Sequence, residues 1–556
     1  MRRLVLSTAA LLAAVVVFVL ATLPAAPGQT HGGVDPALAR RTWPGAFHVH
    51  SSRSDGADTR EAVAAAASRA GLRFVVFTEH GDGTRAPDAP SYINGVLCID
   101  AVEISTNGGH YVALDLPAVP YRLGGEAAAV VEDVRRFGGF GIAAHPDSLK
   151  PALVWSDWSA PIDGIEWINA DSEWRDESRL RLGGAFLQYF FRPGPALASL
   201  LDRPSTTLAR WDQMTAGRPL VAVAGHDAHG WIASRQDGSV PSLRGIPSYE
   251  AAFRSFALRP ILESAATGDA TADARLLVDA IRRGSVFTAI DAIASPALLE
   301  FHAERGASAA SMGESMPAGE GVVTFTARAS MPEGGTIILL RKGTEIVRST
   351  ESPLSAKTAD RGAYRIEIRA DAAPGSPPVP WLVGNPIYVL GEPSSPPPPS
   401  QPIVLTTLDA LDWHVEKDDG SSGTIARAGG ESRFQYRLKA GEETSQFVAM
   451  VTDLRNPPAA ADTIVLRLRS SKPDRVLVQL RSASRGAARL VASAFVSPEA
   501  REIVLDTSTF RSAERPEVRF EIREASSLLI VADLTNHLAG ASGDIEVSAV
   551  RVARAH

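Results

Sequence analysis

The sequence predicts an α/β protein, a barrel or related α/β fold, followed by two all-β sandwich modules. Three observations carry this. Over residues 43–295, short continuous apolar runs alternate with helical patterns, as strands buried on both faces of a parallel sheet require. Over 296–390 and again over 403–556, apolar residues recur with period two between turns, which marks half-buried strands. Between those two stretches, Ser394-Ser395-Pro396-Pro397-Pro398-Pro399 forms the centre of an extended proline-rich linker, 391–402.

The 556 residues are 45% hydrophobic, enough for more than one core. A net charge of -7 gives no sign of nucleic-acid binding, which needs a basic surface to neutralise phosphates, and no nucleic acid is expected as a binding partner. The one cysteine, Cys98, cannot form an intramolecular disulfide or a Cys-x-x-Cys zinc site. It lies in the apolar run Val96-Leu97-Cys98-Ile99 and reads as a buried structural thiol. Any metal site must therefore use His, Asp and Glu.

Met1-Arg2-Arg3 is a basic head, and Leu4 to Leu23 is almost wholly apolar. Residues 1–27 thus read as a signal peptide or an N-terminal membrane anchor. The expectation is an exported protein, periplasmic or extracellular, with membrane association through residues 4–23 where the anchor is retained. Residues 28–42, rich in small side chains, read as a linker.

In the first module the strand candidates are Phe74–Thr78, Gly141–His145, Gly164–Trp167 and Leu220–Gly225. Helical patterns lie between them, at Thr59–Ala70 after the turn Ser54-Asp55-Gly56, and at Gly125–Phe137. In the second, Val322–Ala327, Thr336–Arg341 and Tyr364–Ile368 alternate as strands. In the third, one-face sets recur: Phe434, Tyr436 and Leu438; Ile464, Leu466 and Leu468; Val476, Val478 and Leu480. That module reads as a jelly-roll sandwich.

The chemistry lies in the first module. His48-Val49-His50 places two imidazoles at i and i+2, the same face of a strand. Asp55 follows in a turn. His80, Glu103 and His145 each follow an apolar run, His110 opens one, and Asp227 and His229 follow Leu220–Gly225. In an α/β barrel the carboxyl ends of the strands meet at one face, so separate segments would deliver nitrogen and oxygen ligands to one pocket. Glu79 and Asp82 are expected to cap turns or hold ligands instead of binding metal. Glu166 and Asn169 are expected to orient ligands or touch substrate. His226, on the opposite face from Asp227, is left out.

In order, His48-Val49-His50 with Ser54-Asp55-Gly56, Thr78-Glu79-His80, Glu103, His110, Ala144-His145-Pro146 and Gly225-His226-Asp227-Ala228-His229 resemble the motifs of the polymerase-and-histidinol-phosphatase (PHP) superfamily. The resemblance implies a distorted (β/α)7 barrel with a two- or three-metal centre. It implies one ion on His48, His50, Glu103 and Asp227. A second, bridged by Glu103, would sit on His110 and His145, and a third on Asp55, His80 and His229. Glu103, Asp227 and His229 are the residues it marks as catalytic. Two positions depart from the family pattern: Glu79 stands where Asp is common, and His226 where a small residue is. Gly362-Ala363-Tyr364-Arg365 and Pro380–Val389 resemble the sandwich of the carbaryl-hydrolase-like subgroup. Residues 403–556 are similar to a galactose-binding-type sandwich.

Such a cluster suits zinc, manganese or iron. A bound divalent ion lowers the pKa of water from about 15.7 to about 7. The expected activity is hydrolysis of a phosphoester, with a metal-bound hydroxide attacking a small-molecule or glycan-linked ester. Carbamate or carboxylic-ester hydrolysis is the alternative, and a non-catalytic, metal-stabilised surface binding protein is a third reading. Carbohydrate contact is expected of the last module. The segment Asp171–Gly217 carries Arg175, Arg179 and Arg181 beside Trp174, Tyr189, Phe190, Phe191 and Trp211. Over the site, its arginines favour phosphate and its aromatics an apolar substrate; away from the site, it is an insertion packed on the barrel.

Overall fold

The structure is a computed structural model that describes residues 13, 16, 17, 19–232, 243–317, 319–390, 402–408, 411–454, 457–483, 488–512 and 518–555. The basic head, much of the apolar run after it and the proline-rich linker up to residue 401 lie outside the described residues. Among the described residues, no helix is long and apolar enough to cross a membrane. The chain forms two compact units. One is Met1–Gly81, Pro87–Pro117 and Val134–Pro393; the other is Asp82–Ala86, Ala118–Asp133 and Ser394–His556.

In the first unit, β1 (Gly45–Val49), β2 (Phe74–His80) and β3 (Val96–Thr106) run parallel. Next, β4 (Gly109–Leu114) lies antiparallel to β3, and β5 (Phe140–Ala143) antiparallel to β4. Then β6 (Gly164–Asn169) and β7 (Val221–Gly225) continue parallel to β5. The ring closes where the chain after β7 meets β1: His226 N donates to Phe47 O at 2.8 Å, and His50 N to Ala228 O at 3.0 Å. One strand of the expected parallel barrel is therefore reversed. The cause is local: β3 and β4 are joined by Asn107-Gly108, a two-residue turn. Such a turn makes a hairpin and is too short for the crossover that parallel strands need.

Both faces of the ring are buried. Phe47, Phe74, Val76, Leu97, Val112, Ile142 and Val223 pack with Leu277 and Ile281 of the helix Ala270–Arg282. On the other face Val49, Val75, Phe77 and Cys98 pack with Val63 and Ala67 of the helix Arg60–Arg69. That helix is capped by Thr59. Burial pushes the Cys98 thiol up to about 11, which keeps it neutral.

The boundary expected at 295/296 does not divide the sheet. Strand β1 pairs with β8 (Ala257–Pro260), and β8 with β9 (Val286–Ala289). Strand β9 pairs in turn with Leu382–Gly384 of the second module, so one sheet runs from the ring into the sandwich. A second sheet, of Leu299–Arg305, Ser308–Ser311, Val323–Ala329 and Leu354–Thr358, packs on it where Phe325 stacks on Tyr364 with ring centres 4.3 Å apart. Asn385 clamps the junction: its amide accepts from Ala222 N and donates to Ala222 O and Val286 O, each at 2.8 Å. Residues 28–42, expected as a linker, contain the helix Pro36–Arg41, capped by Asp35, and a strand pair with Ala294–Ser295.

In the second unit, residues from 403 on form two facing antiparallel sheets. One runs Ser422–Ala428, Glu431–Arg437, Ser542–Arg554, Thr463–Ser470 and Arg501–Asp506, with Ile403–Thr407 on Ser542–Arg554. The other runs His414–Lys417, Phe447–Asp453, Ser527–Asp533, Asp474–Ser482 and Ala488–Val496. The period-two residues around Phe434, Leu466 and Val478 meet in its core. Within this unit, buried Arg475 grips Asp133 at 2.6 and 2.7 Å.

Candidate metal centre

Glu103, on β3 and 1% exposed, is the hub. Its two oxygens face different partners. Oε2 lies 3.4 Å from His48 Nε2, 3.3 Å from His50 Nε2 and 3.2 Å from His80 Nδ1. Oε1 lies 2.7 Å from His110 Nδ1 and 2.8 Å from His145 Nε2. Asp227 Oδ1 completes the first set, 3.5 Å from His48 Nε2 and 3.4 Å from His50 Nε2. A further set surrounds Asp55: His80 Nε2 at 3.4 Å, His229 Nε2 at 3.3 Å and His50 Nδ1 at 3.5 Å. All nine expected ligands fall into groups whose ligand atoms lie within 4.8 Å of one another. The groups overlap: His48, His50, His80 and Glu103 each belong to two.

His80 ends β2, and Glu103 reaches the centre beside it, paired with it in register on β3. His110 arrives from the beginning of β4, because β4 runs the other way and its start lies at the same face. His48 and His50 do not converge by regular strand alternation. The register between β1 and β2 shifts between Ala46 and Val49, and His48 has φ +63°. His145 at +35° and Asp227 at +46° share this left-handed backbone. Non-glycine residues rarely adopt it outside sites that the surrounding structure over-determines.

Those surroundings can be named. Glu166, fully buried on β6, accepts from His48 Nδ1 at 2.6 Å. It also accepts from His145 N and from Asn169 Nδ2, each at 2.9 Å. A Cβ on Gly225 would collide with its carboxylate, so the glycine on the neighbouring strand makes room for it. Glu79 accepts from Ser51 N at 3.1 Å and from Ser54 Oγ at 2.6 Å, tying down the loop before Asp55. Asp82 accepts from Thr84 N at 3.0 Å, inside its own turn. His226 turns away from the centre, its Nε2 3.0 Å from Phe256 O. Burial pulls its pKa down to about 4 and keeps it neutral. Sequence reasoning missed Tyr249, whose hydroxyl donates to His50 O at 2.7 Å and His229 O at 2.9 Å. Nothing in the local sequence around Tyr249 signals that reach.

Three atoms of the first set have no hydrogen-bond partner although they are buried: His48 Nε2, His50 Nε2 and Glu103 Oε2. Buried polar atoms are almost always paired. These converge with Asp227 Oδ1 at the spacing a metal shell requires, since tetrahedral bonds of about 2.0–2.1 Å separate neighbouring ligand atoms by roughly 3.3–3.4 Å. The residues fit a divalent cation.

Neither a protein-family model nor a curated protein matches the chain. Solved structures similar to the chain, at low scores, include the following two. One, from Bacteroides vulgatus ATCC 8482, is described as a two-domain protein containing a predicted PHP-like metal-dependent phosphoesterase. It is 14% identical over 66% of this chain and 99% of that chain, with a TM-score of 0.29. The other is a family 11 carbohydrate-binding module from Clostridium thermocellum. It is 15% identical over 28% of this chain and 98% of that one, with a TM-score of 0.23.

Charge in the cluster is coupled to burial. Burial pushes Glu103 up, yet the charge of His48 and hydrogen bonds from His110 and His145 hold it well below the usual carboxylate range. Asp227 behaves likewise, with His48 and His50 opposing burial. Burial pulls His145 down, and Glu103 lifts it to about 9; Asp55 lifts His229 to about 9 in the same way. The centre therefore favours positive charge, which a divalent cation would supply while displacing protons.

A cavity of about 470 Å³ opens beside Asp227 and His229. The segment Asp171–Gly217 forms much of its wall, through Trp174, Arg179, Leu182, Phe186 and Tyr189. The other two arginines are engaged within the segment: Arg175 pairs with Asp171 at 2.7 Å, and Arg181 with Glu177. Trp211 is buried, donating to Leu220 O at 2.9 Å.

Proposed function

We propose that this protein is an exported metal-dependent hydrolase of the PHP type that cleaves a phosphoester. One observation carries the reading: His48 Nε2, His50 Nε2 and Glu103 Oε2 are buried, partnerless and aimed together beside Asp227. The mixed imidazole and carboxylate donors suit zinc, manganese or iron, and the overlapping groups have ligands for two or three ions. When bound, such ions supply Lewis acidity that activates water and stabilises charge on the ester oxygens.

The chain's own residues do the positioning. Glu166 holds His48 by Nδ1 and leaves Nε2 facing inward. Glu103 divides its oxygens between two sets of imidazoles and joins them. Asp227 and His229 line the cavity, where the scissile ester would meet them. The apolar wall keeps bulk water from the ester's organic part.

Carbamate or carboxylic-ester hydrolysis is the second reading. It is favoured by the cavity wall, where aromatic and aliphatic side chains outnumber the single arginine, Arg179. Carbohydrate contact by residues 403–556 is part of the proposal and rests on the sandwich form of that module. Binding to a glycan panel tests it.

Elemental analysis of the purified protein should find divalent metal. A screen of phosphomonoesters, phosphodiesters, carboxylic esters and aryl carbamates should then find phosphoester turnover. Turnover of carbamates or carboxylic esters alone would establish the second reading. Metal-loaded protein inert to the whole panel would mean a metal-stabilised binding protein.

A further inference from the structure

The helix Arg179–Tyr189 has two apolar sides. One faces the cavity, which Leu182, Phe186 and Tyr189 line. The other is open: Leu180 is 90% exposed, and Phe190 and Phe191, just past the helix end, are 61% and 56% exposed. Single apolar side chains are common on soluble surfaces, but Leu180, exposed Leu187 and Phe191 recur at i, i+7 and i+11, so they line one side of the helix and Phe190 flanks it. Phe190 packs edge-on against Phe186 and Tyr189, with ring centres 5.2 and 5.9 Å away. Aromatic surface thus runs from the cavity wall out to solvent.

This helix also holds the end of the N-terminal apolar stretch. Gln188 Nε2 donates to Thr22 O at 2.8 Å, and Arg192 Nη1 to Pro24 O at 2.5 Å. The stretch Leu4–Leu23 that ends there is apolar almost throughout, and its Val17 and Leu20 are exposed. The exposed residues of the two segments, Val17 and Leu20 in one and Leu180, Phe190 and Phe191 in the other, are apolar, and the segments are tied together at Thr22 and Pro24. Both gain by leaving water for a bilayer, and aromatic rings are favoured at its interface.

We propose that the face formed by Leu180, Phe190 and Phe191 docks on a lipid bilayer, and that the cavity behind it takes the hydrocarbon part of an amphiphilic ester drawn from that bilayer. The docking stands on the exposed face and its tie to Thr22 and Pro24. The substrate class rests on the hydrolase reading above. Phe186 links the two, since it is part of the cavity wall and is itself exposed. A cavity of about 470 Å³ suits a ring or several methylenes, falling within the roughly 300–1,000 Å³ of small-molecule sites.

Cys98, the one cysteine, is buried, so Phe190→Cys in the full chain can be labelled selectively with a polarity-sensitive dye. On vesicles of phosphatidylcholine and phosphatidylglycerol, the dye should shift to the blue and be quenched by nitroxide lipids. A water-like spectrum on vesicle-bound protein would overturn the docking. So would a shift that appears without lipid and grows with protein concentration, since that identifies a second copy as the occupant. The triple variant Leu180→Ser, Phe190→Ser, Phe191→Ser should turn over a soluble short-chain ester at the parent rate. Its turnover of a long-chain ester in vesicles should fall by about tenfold. Equal rates on both substrates would overturn the substrate class. If the parent hydrolyses neither ester while the dye still shifts, the hydrolase reading and the substrate class fail and the docking stands.

Discussion

His48 is held between two carboxylates on opposite sides of its ring. Its Nδ1 lies 2.6 Å from Glu166 Oε1, and its Nε2 3.4 Å from Glu103 Oε2. The first contact is a hydrogen bond; the second leaves both atoms without a partner. Glu166 thereby sets the ring nitrogen that faces the centre.

Replacing Glu166 by Gln should lower metal affinity by about 10–100-fold while the fold persists. The amide can keep an acceptor for His145 N and Asn169 Nδ2, which share Oε2, only by turning its NH2 toward His48 Nδ1 in place of the acceptor Oε1. Gly225→Ala should act in the same direction, because its Cβ displaces the Glu166 carboxylate. Chelator competition reads both variants. Parent-like affinity in Glu166→Gln would show that His48 is oriented by something else.

His48→Ala and Asp227→Ala should each lose metal and hydrolytic activity with circular dichroism unchanged. Each removes a donor from the set that converges on Glu103 Oε2 and His50 Nε2. Elemental analysis beside an activity assay checks this, and full activity in either variant would refute the site.

The pH dependence of the metal-free protein has a definite sign. Against burial, Glu103 and Asp55 lift His145 and His229 to about 9, above the roughly 6.5 of a free imidazole. Their contribution to stability is full below about 6.5 and is lost as pH rises through about 9. Thermal melts of chelated protein should therefore fall from neutral pH toward pH 9–10. Metal competes with those same protons, so apparent metal affinity should rise over that interval. A metal-free melting temperature that climbs through it would contradict the charge arrangement.

Away from the centre, Arg365 is buried in the sandwich and grips Asp212 with two bonds of 2.9 Å. It also bonds Glu367 Oε1 at 2.6 Å, and Arg203 bonds the same carboxylate at 2.8 Å. Asp212→Ala strands part of a buried guanidinium and should cost about 3–5 kcal/mol. Urea unfolding measures the loss, and metal stoichiometry should not change.

Much of the centre is legible in the sequence because its cause is local. An apolar run ending in His, Asp or Glu places a polar side chain at the rim of a buried strand, and His80, Glu103 and Asp227 all follow this form. Other features carried a signal that periodicity alone overlooks. Asn107-Gly108 announces a hairpin by turn chemistry, yet the surrounding apolar run looks the same whichever way β4 points. Asp35-Pro36 likewise announces a helix start inside the expected linker 28–42. The union of the second module with the ring had no local signal. Period two is the same for a strand whose edge is free and for Leu382–Gly384, whose edge is taken by β9.

By itself, then, the sequence determined which residue types end the strands and that the candidate donors are imidazole and carboxylate, the one cysteine lying in an apolar run. Side-chain identity and strand periodicity are properties of short segments, so they survive without coordinates. Only the tertiary structure decided that Glu103 faces different imidazoles with each oxygen, that His48 reaches the centre from left-handed backbone, and that Tyr249 and Glu166 hold the ligands in place. Those outcomes depend on contacts between residues far apart in the chain. Such contacts form only when the ring closes and buries polar atoms that must find partners.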